Sequence, residues 1–203
     1  MTDPARDVVP ALEPVRLPVR GGSRFPVRRV YCVGRNFADH AREMGAEAPA
    51  SKAARGTPVF FAKPADAVVT GDAVPYPSAT QDLHHEVELV VALGADAPAG
   101  VVAVEDAQAL VFGYTIGLDL TRRDLQAAAK AEGLPWDIAK GFDASAPVGE
   151  LVPAAQIGAL ASRTLSLEVN GAQRQVSTLD QLIWDVPEIL HELSKLFALR
   201  AGD

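Results

Sequence analysis

The run Leu165-Ser166-Leu167-Glu168-Val169, then Asn170-Gly171, then Ala172 to Ser177 constrains the fold more than any other stretch. Asn-Gly supplies the two left-handed residues that a tight two-residue turn requires, and its flanks are then placed side by side. An antiparallel hairpin is expected there. Arg16 to Val19 and Val27 to Val33, around Gly21-Gly22-Ser23, read as a second hairpin. Val59 to Phe61, Val87 to Leu93 and Ala109 to Leu118 read as further strands. Helical stretches are fewer. One runs from Thr121 to Gly133, with Thr121 and Asp124 as a capping pair. Another runs from about Val186 to Phe197, with Pro187 in its first turn. A short third one is FADHAREM, with Asn36 as its N-cap and Gly45 as its stop. The order is not a repeating βαβ pattern, and GxGxxG, GxxxxGK[ST] and GxSxG patterns are absent. The expected class is α+β, mainly β.

Charge and composition narrow the function classes. A net charge of −7 and a pI near 5.1 argue against nucleic acid and anionic membrane surfaces as partners. A small anionic substrate needs only local positive charge or a metal. No apolar run approaches the ~18 residues that a membrane span needs. The first residues lack the apolar core of a secretory leader. The single cysteine, Cys32, cannot form an internal disulfide and reads as a structural thiol in a strand. Together these predict a cytoplasmic protein. Residues 45–58 are small, polar and broken by proline, which fits either a solvated loop or a lid.

The chemistry concentrates in a few places. On a strand, His84, Glu86 and Glu88 share one face. Two carboxylates so close repel unless a cation lies between them, and a hard divalent ion such as Mg²⁺ or Mn²⁺ suits oxygen donors. Read alone, the same pattern describes a solvated strand edge. Asp119 ends the apolar run VFGYTIGLD and would add a third carboxylate from a second strand, although it also suits a helix cap. His40 and Glu43, three apart on a helix, share a face, so that Glu43 would orient His40 as a water-activating base. Arg123 and Gln126 share a face in the same way and would hold a substrate carboxylate. Lys140, in a stretch with turn residues, would stabilise an oxyanion or enolate. Taken singly, Arg123, Gln126 and Lys140 are each more often surface residues, and the His40–Glu43 pair reads equally as a surface pair.

Together the stretches resemble the fumarylacetoacetate hydrolase family. The matching text is VGRNFADHARE from Val33, FAKP from Phe61, HHEVEL from His84, GLDLTRRDLQ from Gly117 and LPWDIAK from Leu134. The resemblance implies a mixed β-sandwich roll, a homodimer, and Mg²⁺ or Mn²⁺ held by Glu86, Glu88 and Asp119. It implies that His40 and Glu43 activate water and that Lys140 stabilises charge. Arg35, Lys63, Arg123 and Gln126 would lie near the substrate. The short form resembles the acylpyruvate and fumarylpyruvate hydrolases, with hydrolysis of a small anionic 2,4-dioxo acid as the implied reaction. Oxaloacetate decarboxylation or enol–keto isomerisation at the same site is the alternative, and an inactive binding or scaffold homologue is a third reading. Residues 1–24 are expected as an extended segment and hairpin, and 25–203 as the catalytic domain. Family members continue past a Gly-Asp like Gly202-Asp203 into a further strand and loop, so the resemblance also implies a domain cut short at its C-terminus.

Overall fold

The computed structural model describes residues 8–37, 49 and 51–203. Strands dominate. A three-stranded antiparallel sheet has β8 (Val111–Leu118) between β7 (Val87–Leu93) and β11 (Val152–Pro153). Five two-stranded ladders surround it. They pair β1 (Arg16–Pro18) with β2 (Arg24–Pro26), β3 (Val30–Gly34) with β4 (Val59–Lys63), and β5 (Val68–Val69) with β10 (Ala146–Pro147). The last two pair β6 (Leu83–His84) with β9 (Thr121–Arg122), and β12 (Thr164–Val169) with β13 (Ala172–Thr178). Among the described residues the α-helices are α1 (Val104–Ala107), α2 (Arg123–Glu132), α3 (Asp137–Lys140) and α4 (Val186–Ser194). This is the expected mixed, mainly β class. Among the described residues no helix is long and apolar enough to cross a membrane.

Local chemistry explains several elements. Asn170 and Gly171 take φ of 54° and 74° and turn β12 into β13. Gly133 ends α2 at φ 67°, where its N–H closes onto Ala129 and Lys130. Asp185 caps α4 and forms a reciprocal box with Glu188. Along α4, Val186, Leu190 and Leu193 recur at helical spacing and are buried with Val102, Leu110 and Leu199.

Two expectations change. The first hairpin closes over Gly21-Gly22-Ser23, but its second strand is only Arg24–Pro26. Val30–Gly34 pairs instead with Val59–Lys63. Thr121 is not a helix cap: it belongs to β9, and its hydroxyl donates to the Asp119 carbonyl. Asp124 accepts from Thr80 Oγ1 and Gln81 N. Asn36 holds the backbone of Trp184, its side chain donating to the carbonyl and accepting from the N–H, both at 2.9 Å; the helix it is expected to cap lies, beyond Phe37, outside the described residues. Phe37, the first residue of FADHAREM, bridges to Leu182, while residues 38–48, with the rest of that expected helix and Gly45, and residue 50 lie outside the described residues.

β3 and β7 each pair along one edge among the described strands. Their other edges line a common apolar cleft with Phe25, Ala146 and Val148. Residues 202–203 enter its end. There Gly202 N–H donates to Leu93 O at 2.9 Å, and the Asp203 carboxylate meets Arg28 at 2.8 Å and Arg29 at 3.0 Å.

A clasp joins the chain after residue 51 to α4. The Arg55 guanidinium lies 3.6 Å over the Trp184 ring and donates to both Glu188 oxygens, at 2.8 and 3.0 Å. Burial pushes the Glu188 carboxyl up, but hydrogen bonds from Arg55, the Asp185 N–H and Lys52 outweigh it and hold it at about 2. A carboxyl held below its unfolded value contributes stability above that value and loses it as pH falls toward the folded one. Arg55→Ala is therefore expected to cost about 3 kcal/mol at pH 7. The gap from the parent protein should shrink between about pH 4 and pH 2. Thermal melts at both pH values check this, and an equal gap at each would leave only the stacking on Trp184.

Candidate active site

The expected single strand through His84, Glu86 and Glu88 is broken. β6 ends at His84 and β7 begins at Val87, so Glu86 sits in the gap. The gap is fixed from across the sheet, where Asp119 N–H donates to the Glu86 carbonyl at 2.8 Å. Below it, Glu88 faces Gly117 in the β7–β8 ladder. A side chain at Gly117 would meet Val90 at 2.8 Å and the Pro147 carbonyl at 3.1 Å. Glycine there permits close packing and is not spare room beside Asp119. The outcome is that Glu86, Glu88 and Asp119 line one pocket with Arg35, Phe61, Arg123, Gln126, Lys130, Trp136 and Lys140.

Buried lysines from two elements meet the carboxylates of this pocket. Lys140 is the last residue of α3, not part of a loop, and is 3% exposed. Its Nζ donates to Glu86 Oε2 at 2.7 Å, Asp119 Oδ2 at 2.6 Å and Thr121 Oγ1 at 2.7 Å. Lys63 ends β4; its Nζ donates to the carbonyls of Leu120 and Lys140 and lies 2.9 Å from Asp119 Oδ1. That last contact is an ion pair without hydrogen-bond geometry, so Asp119 Oδ1 is buried with no hydrogen bond. Burial lowers the Lys63 ammonium from its ordinary value, against the pull of Asp119.

Arg123 opens α2. It donates to Glu86 Oε1, to Gln126 Oε1 at 2.5 Å and, through Nε, to His84 Nδ1 at 3.2 Å. His84 Nε2 faces Asp82 at 3.1 Å. His84 thus orients the arginine that holds Glu86 and does not reach the carboxylates itself. Gln126 is buried at 3% exposure.

Glu88 makes no ion pair with any described residue. It is half-buried and lines both the apolar cleft and the pocket. Burial, then the negative charges of Asp119 and Glu86, push its carboxyl up to about 8, with Lys140 pulling down. Cys32 nearby is half-buried, and desolvation pushes its thiol up to about 12. That suits the structural role expected for it and not a nucleophile.

Three carboxylates face one pocket, and one of them, Glu88, has no cationic partner among the described residues; oxygen donors of this kind suit Mg²⁺ or Mn²⁺. Among the described residues no three carboxylate, imidazole or thiol groups are drawn together as a metal shell. Lys140 instead bridges Glu86 and Asp119. The chemistry fits a cation, with Lys140 as the positive charge already in place.

The structure therefore brings Glu86, Glu88, Asp119, Lys140, Arg123, Gln126 and Arg35 to one pocket, with Lys63 behind Asp119. His40 and Glu43 lie outside the described residues. Sequence reasoning missed Thr121, Lys130 and Trp136. Lys130 was findable, since Arg123, Gln126 and Lys130 stand at i, i+3 and i+7 on α2.

The sequence profile of the fumarylacetoacetate (FAA) hydrolase C-terminal family matches residues 29–203. A crystal structure of fumarylpyruvate hydrolase from Pseudomonas aeruginosa, in complex with Mn²⁺ and pyruvate, is similar at 48% identity with a TM-score of 0.90. The match covers 98% of this chain and 84% of that chain. The mitochondrial oxaloacetate tautomerase FAHD1 of Bos taurus is 41% identical over 179 residues, which is 87% of this chain and 76% of that protein. A mitochondrial oxaloacetate decarboxylase of Dictyostelium discoideum is 36% identical over 178 residues, 87% of this chain and 78% of that protein.

Proposed function

The chain belongs to the fumarylacetoacetate hydrolase family, and on that premise we propose that it hydrolyses a C–C bond of a 2,4-dioxo acid, with fumarylpyruvate as the substrate. Water adds across the C3–C4 bond, giving fumarate and pyruvate. The observation that carries this reading is the pocket in which Lys140 meets Glu86 and Asp119, in a chain similar to a fumarylpyruvate hydrolase.

Glu86, Glu88 and Asp119 are the residues that would hold Mg²⁺ or Mn²⁺. When bound, such a cation supplies Lewis-acid polarisation of the substrate's oxygens. The other tasks fall to the protein. His40, oriented by Glu43, takes a proton from water as the oxygen adds to the C4 carbonyl. The C3–C4 bond then breaks, and its electron pair passes into the pyruvate unit as an enolate. Lys140 provides a buried positive charge beside the oxygen where that negative charge collects. Arg123, held by His84 and Gln126, fixes Glu86. Protonation at C3 completes pyruvate.

The similarity to oxaloacetate tautomerases and to a decarboxylase supports a second reading. The same enolate forms from oxaloacetate, with no attacking water. Parallel assays with fumarylpyruvate, acetylpyruvate and oxaloacetate separate the two. Fumarylpyruvate should be the fastest. His40→Ala should lower its hydrolysis by about 10²–10⁴-fold and oxaloacetate turnover by less. Equal losses would remove His40 from the role of base, and full hydrolysis by metal-stripped Glu86→Gln would remove the cation.

A further inference from the structure

The pocket joins groups of opposite character. Glu86, Glu88 and Asp119 supply its carboxylates, and Arg35 and Lys130 line it as cations, with the rings of Trp136 and Phe61 also lining the space. The two rings meet edge to face, with centroids 6.1 Å apart. Lys130 lies 5.2 Å from the Trp136 centroid. The cations nearer the carboxylates are already engaged: Arg123 and Lys140 both bond to Glu86. Neither Arg35 nor Lys130 pairs with a carboxylate of any described residue. Burial, and then the like charges of Arg35, Arg123 and Lys140, lower the Lys130 ammonium from its ordinary value. Arg35 is held at φ 58°, a left-handed conformation that costs a non-glycine residue energy and clusters at functional sites. Two cations without a carboxylate partner among the described residues, lining the same pocket as an aromatic pair, form a cradle for an anion.

Resting on the 2,4-dioxo-acid reading above, we propose that Arg35 and Lys130 bind a second carboxylate at the far end of the substrate. The site thereby selects dicarboxylic oxo-acids over monocarboxylic ones. The oxo-acid head lies at the carboxylate trio, Phe61 and Trp136 flank the carbon chain, and the two cations read its terminus.

The test compares ligands that differ in that terminus. Lys130→Met is expected to lower the ratio of kcat/KM for fumarylpyruvate over acetylpyruvate by about tenfold, the size of one charge-assisted hydrogen bond. Lys130→Arg, which keeps the charge, should restore most of it. A merely structural role would lower both substrates together and leave the ratio fixed, which would overturn the proposal. Calorimetry with 2-oxoglutarate and pyruvate, uncleaved probes differing by the distal carboxylate, keeps this independent of turnover. The parent protein should prefer 2-oxoglutarate, and Lys130→Met should lose about tenfold of that preference. No preference in the parent protein, or one unmoved by the substitution, would also overturn it. If neither dioxo acid is cleaved while the probe preference holds and falls in Lys130→Met, the hydrolase reading fails and the carboxylate subsite stands.

Discussion

Lys140→Met is expected to lower kcat for fumarylpyruvate by about 10²–10³-fold, the usual cost of removing one donor aimed at developing negative charge. Methionine keeps the length and apolar stem and removes only the ammonium. That ammonium touches Glu86, Asp119 and Thr121 at 2.6–2.7 Å and is nearly sealed from water. Its loss also leaves two buried carboxylates without their shared counter-charge. Breaking a buried pair from one side costs about 3–5 kcal/mol, so the melting temperature should fall with the rate. The two effects separate on adding Mg²⁺ or Mn²⁺. A cation that binds the carboxylates should raise the melting temperature of Lys140→Met more than that of the parent protein, because the ammonium no longer competes. The rate should stay low, because the charge beside the enolate oxygen is still missing. Full activity regained with the cation would reduce Lys140 to a structural counter-ion.

The parts of this fold legible in the sequence are those set by neighbours along the chain. Asn170-Gly171 closes its hairpin, Gly133 ends α2 and Pro187 opens α4 because each acts over a few residues. The pairing of Val30–Gly34 was not legible, since its partner lies 25 or more residues away and the nearer hairpin looked sufficient. Thr121 shows the same limit within the site. Its place before Asp124 resembles a cap, yet the hydroxyl is taken by Lys140 and the Asp119 carbonyl. The carboxylates were visible as residue types, but their arrangement was not. Glu86 faces the pocket because the strand breaks beside it, and that break is held by an N–H from Asp119, 33 positions on. Periodicity assumes an unbroken strand and cannot report such a bond.

Glu88 gives the second large effect, in the stability of the metal-free protein. Its carboxyl is pushed up to about 8, first by burial and then by Asp119 and Glu86. A free glutamate titrates near 4.3. Between those values the folded protein holds a proton that the unfolded chain has released. The stability belonging to this group is therefore complete below about pH 4, declines as pH rises, and is lost on passing about pH 8. One proton of difference corresponds to about 1.4 kcal/mol per pH unit through that window. Glu88→Gln cannot lose a proton and keeps nearly the same shape. In metal-free buffer it should match the parent protein below about pH 4 and exceed it by on the order of 3 kcal/mol near pH 7. Urea unfolding at a series of pH values, with chelator present throughout, gives both curves. Parallel curves would mean that Glu88 stays ionised in the fold, its charge balanced by Lys140 and Lys63, and that burial is not the dominant influence on it. If the curves diverge as expected, the carboxylate trio stores repulsion in the metal-free protein that a divalent cation would relieve, and Glu88→Gln would gain less stability than the parent protein from added Mn²⁺.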